Sequence, residues 1–290
     1  MKRLPISKTP KVYVGGAFIR SESGRVFPLK TSEGQLVGHV PQCTRKDLRN
    51  AVEAAAKAGP GWAKRTAYNR GQILYRWAEM LEARSEEMAA ALAPTAEDGG
   101  RVAAREEVAA TVDRIVYYAG WADKYEQVLG SVNPVAAPYF NFSVSEPMGI
   151  VGVIAPAAPA LLGLVSLVAP AIVSGNTVVA LASEASPYPA IVLGEMLATS
   201  DLPGGVVNLL TGFHKELLPT FATHEHLRAL SGVVSPQEKR ELEMGAAESV
   251  KRCHLVDVNE VPDWFSNEAE TAYSIRNFVE LKTTWHPVGA

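Results

Sequence analysis

The chain has 290 residues, 47% of them hydrophobic and 20% charged, and 28 basic against 31 acidic residues leave a formal net charge of -3. That apolar content excludes an intrinsically disordered chain, and the charge balance offers no basic field for a phosphate backbone, so nucleic acid is not expected as a partner. Two cysteines, Cys43 and Cys253, cannot by themselves build a disulfide framework or a zinc site; with no apolar run after the basic start Met1-Lys2-Arg3, a cytoplasmic protein is expected.

The segment Val12-Tyr13-Val14-Gly15-Gly16 reads as a hairpin-like opening to a first third that is otherwise strand-poor and helix-rich. Thr44 followed three residues later by Asp47 resembles a capping box, and Leu48, Val52 and Ala55 then recur at helical spacing. Ile73, Trp77, Leu81, Arg84, Met88 and Leu92 predict one amphipathic helix with Arg84 as its polar interruption. A further helix from about 102 to about 128 is expected to bury Val108, Val112, Ile115, Val116 and Ala119.

No charged residue occurs between Pro147 and Ser183, a stretch longer than the roughly 20 residues of a membrane span. Gly149, Gly152, Pro156, Pro159, Pro170, Gly175 and Asn176 divide it, however, into a strand, a helix, a turn and a second strand, and no membrane association is expected. Strands are predicted near 150-155, 177-182, 205-210, 228-232 and 252-257, with helices between them. This is the pattern of an α/β fold: a Rossmann-like parallel sheet, here preceded by an N-terminal helical layer. Ser235, Pro236 and Glu238 mark a helix start.

Residues 258 to 273 read as an acidic linker with a short helix. In the tail, Val279, Leu281 and Trp285 alternate with Glu280, Lys282 and Thr284, and earlier Phe140, Phe142 and Val144 alternate with Asn141, Ser143 and Ser145. The two segments are expected to form one small sheet away from the main one, with an open edge that invites another chain. The division that follows is a Rossmann-like domain over 1-130 and 147-257, an oligomerisation arm over 131-146 and 270-290, and a linker over 258-269.

Glu146-Pro147-Met148-Gly149-Ile150-Val151-Gly152 resembles the NAD(P)-dependent aldehyde dehydrogenase superfamily. Tyr117-Tyr118-Ala119-Gly120-Trp121-Ala122, Gly175-Asn176-Thr177-Val178-Val179, Leu202-Pro203-Gly204-Gly205-Val206-Val207-Asn208 and Phe278-Val279-Glu280-Leu281-Lys282-Thr283-Thr284-Trp285 extend the likeness over most of the sequence. The last of these looks like the family's oligomerising strand. The resemblance implies a cysteine nucleophile, an oxyanion-binding asparagine, a general-base glutamate and a dinucleotide cofactor, and it also shows where each should lie.

The stretch that should carry the asparagine is Pro156-Ala157-Ala158-Pro159, and the stretch that should carry the glutamate is Leu255-Val256-Asp257-Val258, with Val256 in its place. Neither alanine nor valine can supply an oxyanion donor or move a proton. The family's catalytic lobe, with its nucleophile, belongs between the last Rossmann strand and the C-terminal strand, an interval too short here to hold one. The lysine that meets the adenosine ribose falls at Leu181, and the serine of the pyrophosphate turn falls at Val233. Glu184, Ser231 and Gly232 are the surviving candidates for vestigial cofactor contacts. No metal site is expected; His224-Glu225-His226 reads as a solvated or capping pair.

The chain is similar to the truncated, non-catalytic second domain of family 16 aldehyde dehydrogenases. This implies a catalytically inactive subunit with a structural or regulatory role, binding NAD or NADP weakly or not at all. The implied partner is a full-length aldehyde dehydrogenase or a second copy, met through an interface of Phe140, Phe142, Val144, Val279, Leu281 and Trp285. The alternative reading is a residual NAD(P)-binding sensor or divergent oxidoreductase acting on aldehydes, discriminated by titration with the two cofactors.

Overall fold

A computed structural model describes residues 8-31, 33-95 and 100-289. The chain opens with two hairpins. β1 (Val12–Val14) and β2 (Ala17–Ile19) pair antiparallel about Gly15 and Gly16, whose φ values of 62° and 84° lie where side chains with a Cβ are strained. β3 (Val26–Lys30) and β4 (Leu36–Pro41) form a separate antiparallel pair. The first third is therefore less strand-poor than its pattern predicts. Phe27, Leu29 and Val40 of the second hairpin contribute to a core cluster, and β3 alternates buried and exposed residues over only five positions with a proline among them, a weak strand signal.

α1 (Arg45–Ala63) begins at the expected capping box of Thr44 and Asp47. The single helix expected over Ile73 to Leu92 is instead two, α2 (Ala67–Ala83) and α3 (Ser85–Leu92). Arg84 stands between them at φ -116° and ψ 25°, outside the helical well, and its side chain reaches Glu87 and Glu195 at 2.8 and 2.9 Å. The apolar stripe runs through both helices because all its aliphatic and aromatic members remain buried.

The helix expected to about 128 also divides, into α4 (Arg101–Trp121) and α5 (Tyr125–Leu129). Val116, expected inside, is exposed, and Val112 is only half-buried. Val108, Ile115 and Ala119 are buried as expected, and Thr111, Arg114 and Tyr118 complete the inward face, so that a guanidinium lies on the buried side of the helix.

β5 (Ser131–Asn133) and β6 (Tyr139–Pro147) precede the alternating half: β7 (Ile150–Ile154), α6 (Ala160–Val173), β8 (Thr177–Leu181), α7 (Tyr188–Leu197), β9 (Val207–Leu210), α8 (His214–Thr223), β10 (Leu227–Val234), α9 (Pro236–Ala247) and β11 (Arg252–Asp257). α10 (Tyr273–Arg276) and β12 (Val279–Pro287) complete the chain order. The main sheet has the strand order β11-β10-β7-β8-β9-β1-β2, with β7 to β11 parallel and β1 antiparallel on β9.

Asn208 holds the opening hairpin to this sheet. Its Oδ1 accepts the Gly15 N–H at 2.9 Å while its Nδ2 donates to the carbonyls of Val178 and Gly205 at 3.1 and 2.8 Å. The N-terminal helices do not form one layer, because α2, α3 and α4 join α6 and α7 on one face whereas α1 joins α8 and α9 on the other. Among the described residues no helix is long and apolar enough to cross a membrane.

The arm is a second sheet of order β12-β6-β5, formed as the alternating patterns predict. β12 pairs with β6 from Val279↔Pro147 to Pro287↔Tyr139. The strand is not half-buried as expected: every residue after Val279 is exposed. Phe278 and Val279, by contrast, belong to the main core, and Asn176 Nδ2 donates to the Phe278 carbonyl at 2.8 Å, fixing the root of the arm.

Candidate functional site

In an open α/β sheet a ligand lies outside the carboxyl ends of the strands, at the point where the strand order reverses. Here that point lies between β7 and β10. Three helices start nearby, α6 after β7, α8 after β9 and α9 after β10, and their free N–H groups would ordinarily favour a phosphate. Each of the three already holds a carboxylate of the chain itself.

Glu107 Oε1 accepts from the backbone N–H of Leu161 at 2.7 Å and of Leu162 at 3.1 Å, in the first turn of α6. Burial pushes this carboxyl above its ordinary value, with the two N–H bonds pulling the other way. Glu184 accepts the N–H of His214 at the start of α8. Glu238 accepts from the N–H and the hydroxyl of Ser235, both at 2.8 Å, and closes the capping box of α9. His214 Nδ1 lies 3.0 Å from Glu238 Oε1, so that one residue meets the second carboxylate with its backbone N–H and the third with its ring. Partial burial opposes the Glu238 anion, but the Ser235 and His214 bonds outweigh it and hold the carboxyl below the usual range.

The reversal point itself is lined by apolar side chains. Trp264, from the connection between β11 and β12, packs with Leu162 of α6 and Val233 of β10 in one buried cluster, and Val256 packs against its side. Val233 and Val256 are the positions where the resemblance expects the pyrophosphate serine and the general base. Leu181, at the expected lysine position, is fully buried in the opposite layer and faces no crevice. Ala157 and Ala158 stand exposed where the oxyanion asparagine is expected. Three carboxylates and one indole thus lie around the carboxyl end of the sheet, where the anionic pyrophosphate of a nicotinamide dinucleotide would find unfavourable partners.

The vestigial candidates separate. Glu184 belongs to the glutamate–histidine chain just described. Ser231 and Gly232 are built into β10, where a Cβ on Gly232 would lie 2.5 Å from the Ile154 carbonyl oxygen, so that close strand packing alone requires glycine there. Neither thiol is activated. Burial pushes Cys43 up to about 12, and burial followed by the Glu243 charge raises Cys253, whereas a nucleophile needs its thiolate. The His224 and His226 rings lie 5.9 Å apart, and among the described residues no group of three or more His, Cys, Asp or Glu side chains could hold a metal ion.

Four residues that matter here escape the sequence reading: Glu107, Arg114, His214 and Trp264. Arg114 is fully buried and donates to Ser166 Oγ, to the Trp264 carbonyl at 2.8 Å and to Glu270 at 3.2 Å. Its signal was a charge in register with Tyr118 on the apolar face of α4. For Trp264 the signal was one large aromatic in an acidic linker. Glu107 and His214 carry none that a single sequence displays.

The arm presents two distinct faces. Phe140, Phe142 and Val144 lie opposite His286, Thr284 and Lys282, whereas Leu281 and Trp285 lie opposite Ser145 and Asn141 on the other side. The candidate interface residues are thus brought into one sheet but not onto one surface. Val279 is taken into the core, while Phe140 (46% exposed), Val144 (40%), Leu281 (53%) and Trp285 (58%) remain uncovered. Among the described residues β12 pairs only with β6.

The family model described as "Aldehyde dehydrogenase family" matches residues 18-256. The mitochondrial benzaldehyde dehydrogenase of Antirrhinum majus is 32% identical over 246 residues, which is 83% of this chain and 45% of that protein. Retinal dehydrogenase 2 of Mus musculus is 30% identical over 276 residues, 92% of this chain and 52% of that one. Among solved structures, the NAD+ complex of an aldehyde dehydrogenase from Bacillus cereus superposes with a TM-score of 0.81 at 26% identity, covering 86% of this chain and 51% of its own. PnpE from Pseudomonas sp. WBC-3 gives a TM-score of 0.81 at 28% identity over 86% and 50%. The chain spans about half the length of the curated relatives it matches. By sequence and fold alike, the chain belongs to the aldehyde dehydrogenase family.

Proposed function

We propose that this chain is a catalytically inactive subunit of the aldehyde dehydrogenase family, which binds no dinucleotide and serves in assembly with a full-length NAD(P)-dependent aldehyde dehydrogenase. One observation carries the reading: the three helix N-termini that would receive a pyrophosphate each hold a glutamate of this chain, Glu107, Glu184 or Glu238. A bound pyrophosphate would have to displace carboxylates from the same N–H groups that make such sites attractive. The arm supplies the means of assembly. β12 has an open edge on which a partner strand can add, and both faces of the sheet carry exposed apolar side chains.

Calorimetric titration with NAD+ and with NADP+ tests the first half of the proposal. No heat of binding is expected at cofactor concentrations up to about 1 mM, equivalent to an affinity weaker than about -4 kcal/mol. Micromolar binding of either cofactor would refute the reading and favour the sensor.

A further inference from the structure

The connection between β11 and β12 is packed, yet it holds little regular structure. Besides α10 it contains one short 3-10 helix, Asn267–Ala269, and isolated turns such as those closed by Glu260 N–H on the Asp257 carbonyl and Ser266 N–H on the Asp263 carbonyl. Its attachments are made at a few points. Arg114 grips the Trp264 carbonyl and the Glu270 carboxylate, and the Tyr118 hydroxyl donates to the Thr271 carbonyl at 3.4 Å. Further along, His254 Nε2 meets the Asn277 carbonyl at 3.1 Å.

Between these points the connection roofs a cavity of about 500 Å³ whose walls include Ser231, Lys239, Cys253, His254 and Phe278. The indole N–H of Trp264 is buried without a hydrogen-bond partner. Opening would therefore return to Trp264 a bond with water that the closed form forgoes. Segments with few backbone bonds and point attachments open before the sheet beneath them does.

We infer that residues 258-272 are a displaceable strap, hinged where Ile275 and Phe278 enter the main core, with Trp264 as an intramolecular plug at the reversal point and the Arg114–Glu270 pair as its latch. The inference rests on the reading of the crevice as unused by a dinucleotide. In the closed form Trp264 covers Leu162 and Val233; in the open form these residues and Val256 are bared as an apolar slot while the parallel sheet stays folded.

The chain has two cysteines, which makes thiol labelling a direct test. Val233→Cys, introduced in a Cys253→Ser background, places a thiol beneath the indole, and fully buried Cys43 reports global unfolding. The reagent is 4,4′-dithiodipyridine, small and uncharged. Adding Glu270→Gln, which removes the charge of the latch without touching the sheet, is expected to speed labelling of the introduced thiol about 10-fold, within the range by which a charge-assisted hydrogen bond exceeds a neutral one. Adding Trp264→Ala instead is expected to speed it about 100-fold, and in both variants Cys43 keeps its rate. Should Trp264→Ala not fold, the Glu270→Gln comparison decides alone.

Equal rates at the introduced thiol and at Cys43, or rates that neither substitution changes, would overturn the strap. Cofactor binding by the unmodified chain would overturn the reading on which it rests, yet would leave the labelling result standing, so the two failures are distinguishable.

Discussion

Replacing Arg114 by methionine tests how the connection is held. The side chain is 2% exposed, and its guanidinium serves three acceptors: Ser166 Oγ, the Trp264 carbonyl and Glu270, itself 23% exposed. Methionine fills similar volume and donates nothing, so the substitution removes one partner of a buried pair. A one-sided break of that kind costs about 3 to 5 kcal/mol. Glu270 can regain water because it is partly exposed, which places the expectation near the lower end, at about 3 kcal/mol.

The double variant Arg114→Met/Glu270→Gln leaves no stranded charge and is expected to recover about 1 kcal/mol of that loss. Equilibrium unfolding in urea measures both as shifts of the midpoint with an unchanged slope. A loss below about 1 kcal/mol for the single variant, or a double variant as unstable as the sum of the singles, would refute the argument.

Two further outcomes are expected. Asn176 Oδ1 accepts from Gly149 N–H, and its Nδ2, with two hydrogens, lies within hydrogen-bond distance of the Ala171 and Phe278 carbonyls and Ser174 Oγ, so Asn176→Ala should cost about 2 to 4 kcal/mol. Hydrogen exchange should show β6 and β12 losing protection before β7 and β8, and uniform loss would contradict a hub at the root of the arm. Burial holds the His254 imidazole below its ordinary value, so between that lower value and about 6.5 the unfolded chain binds more protons than the folded one. Stability from this site is full above about pH 6.5 and falls as the pH drops through the window; His254→Gln should flatten that acid limb, and an unchanged limb would contradict the assignment.

Much of the fold was legible in the sequence because its signals are local. The capping boxes at Thr44 and Ser235, the breaks at Gly149 and Gly175, and the β-branched runs of β7 and β8 each specify their own conformation. The arm strands declared themselves by alternation, and they pair as that alternation suggested. Legibility ended where long-range contacts decide. Arg84 interrupts a continuous apolar stripe because Glu195, far along the chain, gives its guanidinium a partner. Arg114 is inside because three acceptors converge on it from α6 and the connection.

The candidate site divides in the same way. The substitutions at Ala157, Ala158, Leu181, Val233 and Val256 are visible as residue types in a family pattern. What occupies the crevice instead is not visible there, since Glu107 caps a helix more than fifty positions away and Trp264 arrives from beyond the last parallel strand. Nor does alternation within a strand reveal which face meets which: only the β6–β12 register separates Phe140, Phe142 and Val144 from Leu281 and Trp285.

The most direct test of the proposal is the native mass of what forms when this chain is co-expressed with the full-length aldehyde dehydrogenase of its own organism. A mixed complex of fixed stoichiometry is expected, lost when Leu281→Glu and Trp285→Glu are introduced together on the exposed arm. A chain that remains monomeric, or that assembles only with itself while ignoring the dehydrogenase, would contradict it.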